Sequence, residues 1–444
     1  MINIEMGIKY FLKHRIVPIM KKIIKLKKFF GHTCETKTKK ILMAGGFGYS
    51  NVGDEAQCNE TANLLKREFP DYQIIMLTPN PELSFSRHGF TAEYASRVVL
   101  WGHNCNYNIF EFNKYAFLKK ICFLIRGFHL LFNSYLIKFG LPTFLINSRA
   151  TKFIEQIREA SLFYFGGGGF LTGTTLSRLW DALFVCRICH ILNVPVVMSG
   201  QTVGVWQNKF NEIFARWALK HVKLITVRDK NYSINDLRKL DLNIPMFETH
   251  DDALFCQKSK EKFYEGEYIV FNYHYWRMKN SEINKLNSYV EKIAEMFPCK
   301  IVLLSMTPWN VRNYDYILEK YPNKFEFFEY DYDFKKLRRV IADSKLCITM
   351  KHHPIIFAYG EDIPVISILH NDYYFHKNIG AMAQYGQERF SIALDDENFM
   401  DKFKMLLDEI QNDKTHLKEI KDAKTILKQN KERFLREVKK IIKV

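Results

Sequence analysis

What this 444-residue chain lacks narrows its class first. Nine cysteines are scattered along it, and only Cys186 and Cys189 stand close together. That excludes a disulfide framework and leads us to expect a reduced, cytoplasmic protein. No run is apolar throughout the ~18–20 residues that a membrane span needs; the nearest is Gly127 to Ile137. The opening stretch, MINIEMGIKYFLKHRIVPIMKKIIKLKKFFGH, breaks its apolar residues with charge every few positions. It has no long apolar region and no small-residue cleavage site, so it does not read as a signal peptide. Internal repeats and low-complexity linkers are missing too. The body of the chain also lacks charge of one sign. The formal net charge is +17, but residues 1–40 hold 11 Lys/Arg against 2 acids and residues 401–444 hold 13 against 8, leaving +3 for the 360 residues between. A nucleic-acid-binding core carries its own basic face, so no nucleic-acid partner is expected.

What is present is a large apolar content, 47%, enough for two cores. Ile41 to Ala44 is a short apolar run ending in Gly45-Gly46, followed by helical spacing from Asp54 to Phe69 and a second apolar run from Gln73 to Leu77. The unit recurs. Leu162–Phe165, Pro195–Ser199 and Leu224–Val227 read as strands, Gly166–Gly169 as a turn, and Leu176–Leu192 and Phe210–Lys220 as helices. A further set runs through strands at Tyr268–Tyr273, Ile301–Ser305, Leu346–Met350 and Pro364–Ile368, with helices at Ser281–Met296, Phe334–Ala342 and from about Pro354. Such alternation predicts doubly wound parallel sheets. The expected organisation is a basic amphipathic segment (1–40), a Rossmann-like domain (41–245), a second one (246–385) and charged helices (386–444). The segments 8–30 and 107–148, rich in Phe, Leu, Ile and Lys, suit either an anionic membrane surface or helices packed on the body with their lysines in water; the second would be an insertion on the acceptor side.

The glycine-rich turns are not nucleotide fingerprints. After Gly46-Phe47-Gly48 the third glycine of the dinucleotide pattern is Asn51, and no Gly-Lys-Ser/Thr follows. Asn51 and Asp54 can cap a helix whose first turn holds Asp54 and Glu55, and acids there repel phosphate. Gly48, Asn51, Asp54 and Glu55 therefore read as a place for a polyhydroxyl acceptor, or as a plain cap. The quartet Gly166–Gly169 permits close backbone approach to a ligand. The letters CRICH, Cys186 to His190, match a haem-attachment pattern but fall inside a periodic helix, so both cysteines read as core. Arg228 ends a buried strand and either enters a cleft as an anion-binding fork or pairs with Asp229. Lys351, His352 and His353 end another strand. One histidine is a candidate acid/base, and the other is expected to pack or face solvent, since neighbours on a strand point to opposite faces. No second cluster supplies metal-ligand spacing, so no metal is expected.

Taken in order, FGYSNVGDEA, FGGGGFL, SGQTVG, TVRDKNYS, DDALF and TMKHHPIIFA resemble the polysaccharide pyruvyl transferase family over roughly residues 41–380. The resemblance implies a glycosyltransferase-B-like fold, two Rossmann-like domains facing a cleft. It implies transfer of pyruvate from phosphoenolpyruvate, a co-substrate with no further cofactor, to sugar hydroxyls as a ketal in surface or capsular polysaccharide assembly. Arg228 matches the family arginine of the V-R-D stretch and His353 the family histidine. Lys351 stands where the family more often has Arg, and His352 where it has Leu. Arg277 lies a few residues beyond the place of another family arginine. The implied donor set is Arg228, Lys351, His353 and Arg277, with Arg228 and His353 catalytic. The acceptor set is Gly48, Asn51, Asp54, Glu55, Gly167, Gly168, Gly169 and Gln201. The expected acceptor is a sugar or lipid-linked oligosaccharide, met in the cytoplasm or at the inner face of the plasma membrane. A nucleotide-sugar glycosyltransferase and a non-catalytic, membrane-associated assembly protein would share the same architecture.

Overall fold

The computed structural model describes residues 37–100, 116–329 and 331–443. Most of the basic segment 1–40, and residues 107–115 of the expected insertion, lie outside the described residues. The first sheet is built from β1 (Lys40–Ala44), β2 (Gln73–Thr78), β3 (Ala92–Tyr94), β4 (Leu162–Phe165), β5 (Gly168–Thr172), β6 (Val196–Gly204), β7 (Leu224–Val227) and β8 (Met246–Glu248). The second contains β9 (Tyr268–Asn272), β10 (Lys300–Leu303), β11 (Phe325–Phe327), β12 (Cys347–Thr349), β13 (Val365–Leu369) and β14 (Ser391–Ala393). Their orders are β3-β2-β1-β4-β6-β7-β8, with β5 beside β6, and β11-β10-β9-β12-β13-β14. All pairings are parallel. Each sheet starts at its centre, winds to one edge and returns to wind to the other. The order reverses between β1 and β4 and between β9 and β12, and ligands of such sheets bind at the carboxyl ends beside that reversal. Every residue of β4, β7 and β9 is buried, because helices cover both faces.

Five helices matter for the site: α1 (Val52–Glu68), α2 (Ala116–Lys138), α3 (Leu176–Ile191), α4 (His352–Gly360) and α5 (Thr415–Lys443). Asn51 caps α1, its side-chain oxygen accepting from Gly53 N and Asp54 N. Cys186 and Cys189 are buried in α3, as their helical spacing predicts. Two local expectations change. The glycine quartet does not end as a turn: from Gly168 it becomes β5, hydrogen-bonded beside the second half of β6. The second sheet also extends past residue 385, since Ser391 pairs with Ser367 on its edge.

The charged last helix is not a free tail. α5 returns to the first domain, where Phe434, Leu435 and Val438 pack with Ile41, Met43 and Tyr164. The Phe434 and Tyr164 rings meet edge to face, centroids 6.1 Å apart. Three residues before Phe434, the buried Lys431 ammonium meets the Asp252 carboxylate and donates to Ser199 Oγ at 2.6 Å. Thr61 of α1 donates to the same carboxylate at 2.9 Å. Asp252 lies on the crossing between the two sheets, so this buried pair locks the crossover to the first domain. Phe434→Ala should cost ~3–5 kcal/mol, whereas truncating Ile426, exposed on the same helix, should cost under ~0.5 kcal/mol. Urea unfolding of both variants checks this; equal losses would mean that α5 is not anchored through this face.

Candidate active site

The carboxyl ends of the two sheets face one another. From the first come Arg228, directly after β7, and the start of α1; from the second come Lys351 and α4, directly after β12. The domains touch closely here. Val52 N donates to Met306 O across the cleft at 3.0 Å. A Cβ on Gly53 would fall 2.0 Å from the His353 ring, so glycine is what lets α1 rest on that histidine.

Asp251 joins these parts. Its Oδ1 accepts from Gln57 Nε2 at 2.7 Å and Ala253 N at 2.9 Å. Its Oδ2 accepts from Arg228 Nη1 at 2.5 Å and His352 Nε2 at 3.0 Å. Burial would raise this carboxyl's pKa, but Arg228 and the bond from His352 hold it well below the ordinary range. Asp251, His352 and His353 are close enough together to suggest a metal cage. The donor set argues otherwise: four hydrogen bonds use the carboxylate's lone pairs, and His352 spends Nε2 as a donor. The arginine's true partner is thus Asp251, not the adjacent Asp229, which instead accepts from Ser233.

Both histidines are buried and both line the cleft, against the expectation that neighbours cannot both face inward. They belong to the first turn of α4 rather than to a strand, and successive helical residues need not oppose each other. Their rings lie 5.2 Å apart. Burial and the nearby Arg228 lower His352 to about 3, despite its bond to Asp251. His353 is lowered as well, mainly by burial. Both are neutral near neutral pH. His352 therefore offers an Nδ1 lone pair, and neither this atom nor His353 Nε2 has a hydrogen-bond partner among the described residues. Asp54 lies across from His353, 3.9 Å from its Nε2, and burial raises its pKa against the pull of Lys377, Arg178 and Arg228. Lys351 is lowered to about 8 by burial and by Lys377.

A cavity of about 110 Å³ opens among Asn51, Lys351, His352, His353, Tyr373 and Lys377. Over its first-domain wall, a Cβ on Gly169 would lie 3.2 Å from Tyr373 Oη, 3.9 Å from Lys377 Nζ and 4.0 Å from Arg228 Nη2. That Nη2 is buried without a hydrogen-bond partner among the described residues. Three donors thus converge on space that only glycine leaves open. Gly46, whose Cβ would lie 3.3 Å from the Asp54 carboxyl, bounds a smaller cavity of about 50 Å³ with Tyr49, Phe170, Arg178 and Asp181.

Several expected contacts are displaced. Glu55 is withdrawn from the cleft: its oxygens take Gly48 N at 2.7 Å and His88 Nε2 at 2.8 Å, and the side chain is buried. Gly48 serves the turn itself, at φ 83° with Thr78 and Pro79 against its Cα. Gln201 is fully buried, donating to Gly166 O and Ser199 O. Gly167 packs on Gln57 and Gly200, and Gly168 on Phe170. Gly169 does reach the cleft, but on the side of the cations. Arg277 is exposed, its guanidinium over the Trp276 ring. Arg228, Lys351, His353, Asn51 and Asp54 come together. Asp251, Gln57, Tyr373 and Lys377 join them and are not among the residues that the sequence predicts. Asp251 lay within the DDALF motif; the other three carried no sequence signal.

A sequence model of polysaccharide pyruvyl transferases matches residues 51–372. The chain belongs to that family. No curated protein matches it. Among solved structures it is similar to a glycosyltransferase from Rickettsia africae ESF-5 (12% identity, 92% of this chain and 98% of that one, TM-score 0.52). It is also similar to the UDP-N-acetylglucosamine 2-epimerases of Rickettsia bellii (8%, 91% and 97%, 0.55) and Methanocaldococcus jannaschii (10%, 88% and 99%, 0.54). At these identities the likeness shows the fold: this pyruvyl transferase family member has the glycosyltransferase-B architecture.

The contact between Gly53 and His353 is testable. Gly53→Ala should destabilise the protein by ~1–3 kcal/mol through overpacking. In a His353→Ala background the same change should cost under ~0.5 kcal/mol. Equal costs in both backgrounds, from denaturant titrations, would show that the two residues do not meet.

Proposed function

We propose that this chain transfers pyruvate from phosphoenolpyruvate to two hydroxyls of a sugar, as a ketal, in the cytoplasmic assembly of surface or capsular polysaccharide. The observation that carries the reading is the convergence of Arg228, Lys351 and Lys377 beside two neutral histidines. Phosphoenolpyruvate bears about three negative charges near neutral pH, and cations at parallel-strand ends suit it. Arg228, fixed by Asp251, presents a rigid fork; Lys351 and Lys377 act as point charges.

The chemistry follows from charge. A sugar hydroxyl adds to C2 of the enol phosphate while C3 takes up a proton. Phosphate then leaves C2, a second hydroxyl bonds there, and that hydroxyl's proton is released. One donor and one diol give one ketal and one phosphate. His353 is the group we assign to move protons, with Asp54 holding the acceptor hydroxyl beside it. A bound anion favours the imidazolium of His353 and moves its pKa upward. The scheme calls for no metal.

Phosphoenolpyruvate at ~100 times its dissociation constant should stabilise the protein by ~2.7 kcal/mol, read as a rise in melting temperature. Arg228→Met or Lys377→Met should weaken binding at least ~tenfold, and His353→Ala should abolish turnover with the fold intact. A shift with uridine diphosphate alone would replace this reading with a nucleotide-sugar glycosyltransferase. Turnover by His353→Ala would remove that residue from proton transfer. No turnover with any donor or acceptor would favour a non-catalytic assembly role.

The pH dependence has a fixed sign. A bound anion favours protonated Lys351, so binding takes up a proton wherever the free amine is neutral. Donor affinity should therefore fall as pH rises through about 8, by up to ~tenfold per unit. Lys351→Arg, charged throughout, should flatten that limb. Calorimetry in buffers of different ionisation enthalpy measures the uptake; an unchanged limb in Lys351→Arg would rule out the lysine as its source.

A further inference from the structure

α2 carries two unlike faces. Along one, Gly127 lets the helix approach α3 so closely that a Cβ would fall 2.1 Å from the Phe184 ring, and Phe123, Leu130 and Ile137 are buried with it. Along the other, Phe117, Ile121 and Ile125 recur at i, i+4 and i+8, so they share one face. Phe117 is 70% exposed and Ile125 64%, and the neighbouring Leu118 is 55% exposed. The next position on that face, His129, meets the Phe144 ring edge-on. There a second apolar stretch begins, with Phe144 55% and Leu145 82% exposed.

The loop holding these two side chains outward is built, not slack. Asn133, fully buried, donates to Phe144 O at 3.0 Å and accepts from Phe144 N at 2.6 Å. His129 Nε2 lies 2.8 Å from the same carbonyl oxygen. Leu145 is held at φ 49°, a conformation a branched side chain rarely adopts and that surrounding bonds must enforce. A protein that buried this loop for its own stability would not hold a leucine in solvent at such a backbone angle.

Charge identifies the occupant. From Ala116 to Ile154 there are six Lys/Arg and no Asp or Glu. We propose that the ridge formed by Phe117, Leu118, Ile121, Ile125, Phe144 and Leu145 docks on an anionic membrane surface. Its side chains enter the acyl boundary and the flanking cations meet lipid headgroups. α2 is long and apolar enough to cross a membrane by length and composition. Its packed face on α3 forbids that, because a helix with one side in a domain core cannot be ringed by lipid. α2 lies on the surface instead. The start of α3, on which it rests, lines the cavity beside Asp54 with Arg178 and Asp181. If the proposed pyruvyl transfer holds, a lipid-carried sugar would reach Asp54 from this side; the docking itself does not depend on that reaction.

The test is flotation of the full chain with phosphatidylglycerol/phosphatidylcholine vesicles and with phosphatidylcholine alone, comparing it with an Ile125→Glu/Leu145→Asn variant. Asn tolerates the left-handed backbone at 145, so the variant's melting temperature should match or exceed that of the parent. The parent should float with anionic vesicles and less with neutral ones, and the variant should partition at least ~tenfold more weakly. Equal flotation of both would place the contact elsewhere on the chain and overturn the ridge. Absence of parent flotation with either vesicle would overturn it too. So would parent self-association, lost in the variant, without vesicle binding, which would make the ridge a face between copies.

Discussion

The buried Asp251 carboxylate is the constraint on which the rest of the site depends. It sits in the crossover between the sheets and gathers donors from α1, from the end of β7 and from the first turn of α4. A fully buried carboxylate is costly unless its lone pairs are filled. Here they are filled by groups from both domains, so the charge that would otherwise destabilise the core fixes the geometry of the cleft. With Thr202 taking Nε, it leaves only Nη2 of Arg228, beside Gly169, without a hydrogen-bond partner among the described residues. It also sets the His352 ring, so that the unprotonated nitrogen remains available.

The neighbouring acid does a different job. Asp252 points to Ser199, Thr61 and Lys431, the last on a helix that has crossed back from the second domain. One Asp-Asp pair therefore serves both ends of the problem: the first residue organises the cleft and the second binds the crossover to its scaffold. The approach of Gly53 to His353 and the bond from Lys230 N to Gly380 O add further ties between the halves. These contacts tie the two halves directly to one another across the cleft.

Much of the fold was legible locally. Buried apolar runs such as Leu162–Phe165 and Leu224–Val227 mark strands covered on both faces, and the Asn51 cap marks the start of α1. Two departures trace to the limits of local reading. The glycines after Phe165 looked like a turn, but the partner that makes Gly168–Thr172 a strand is β6, some thirty residues later. Strand alternation predicts opposite faces for His352 and His353, whereas the helix begins directly after Lys351 and turns both inward. Glu55 and Gln201 looked available, yet their partners, His88 and the Gly166 carbonyl, are supplied by distant chain.

Local pattern alone carries the α/β alternation, the two-domain scale, the motif order that marks the family, and Arg228, Lys351 and His353 as charged or titratable groups just beyond strands. These are consequences of periodicity and turn chemistry, which act over a few residues. Folding in three dimensions adds that Asp251 rather than Asp229 holds Arg228, that Lys377 and Tyr373 join the cations over Gly169, and that an acid-free helix turns an apolar ridge outward. Those facts depend on which strand ends become neighbours when two sheets are wound and faced together, and no local pattern encodes that proximity.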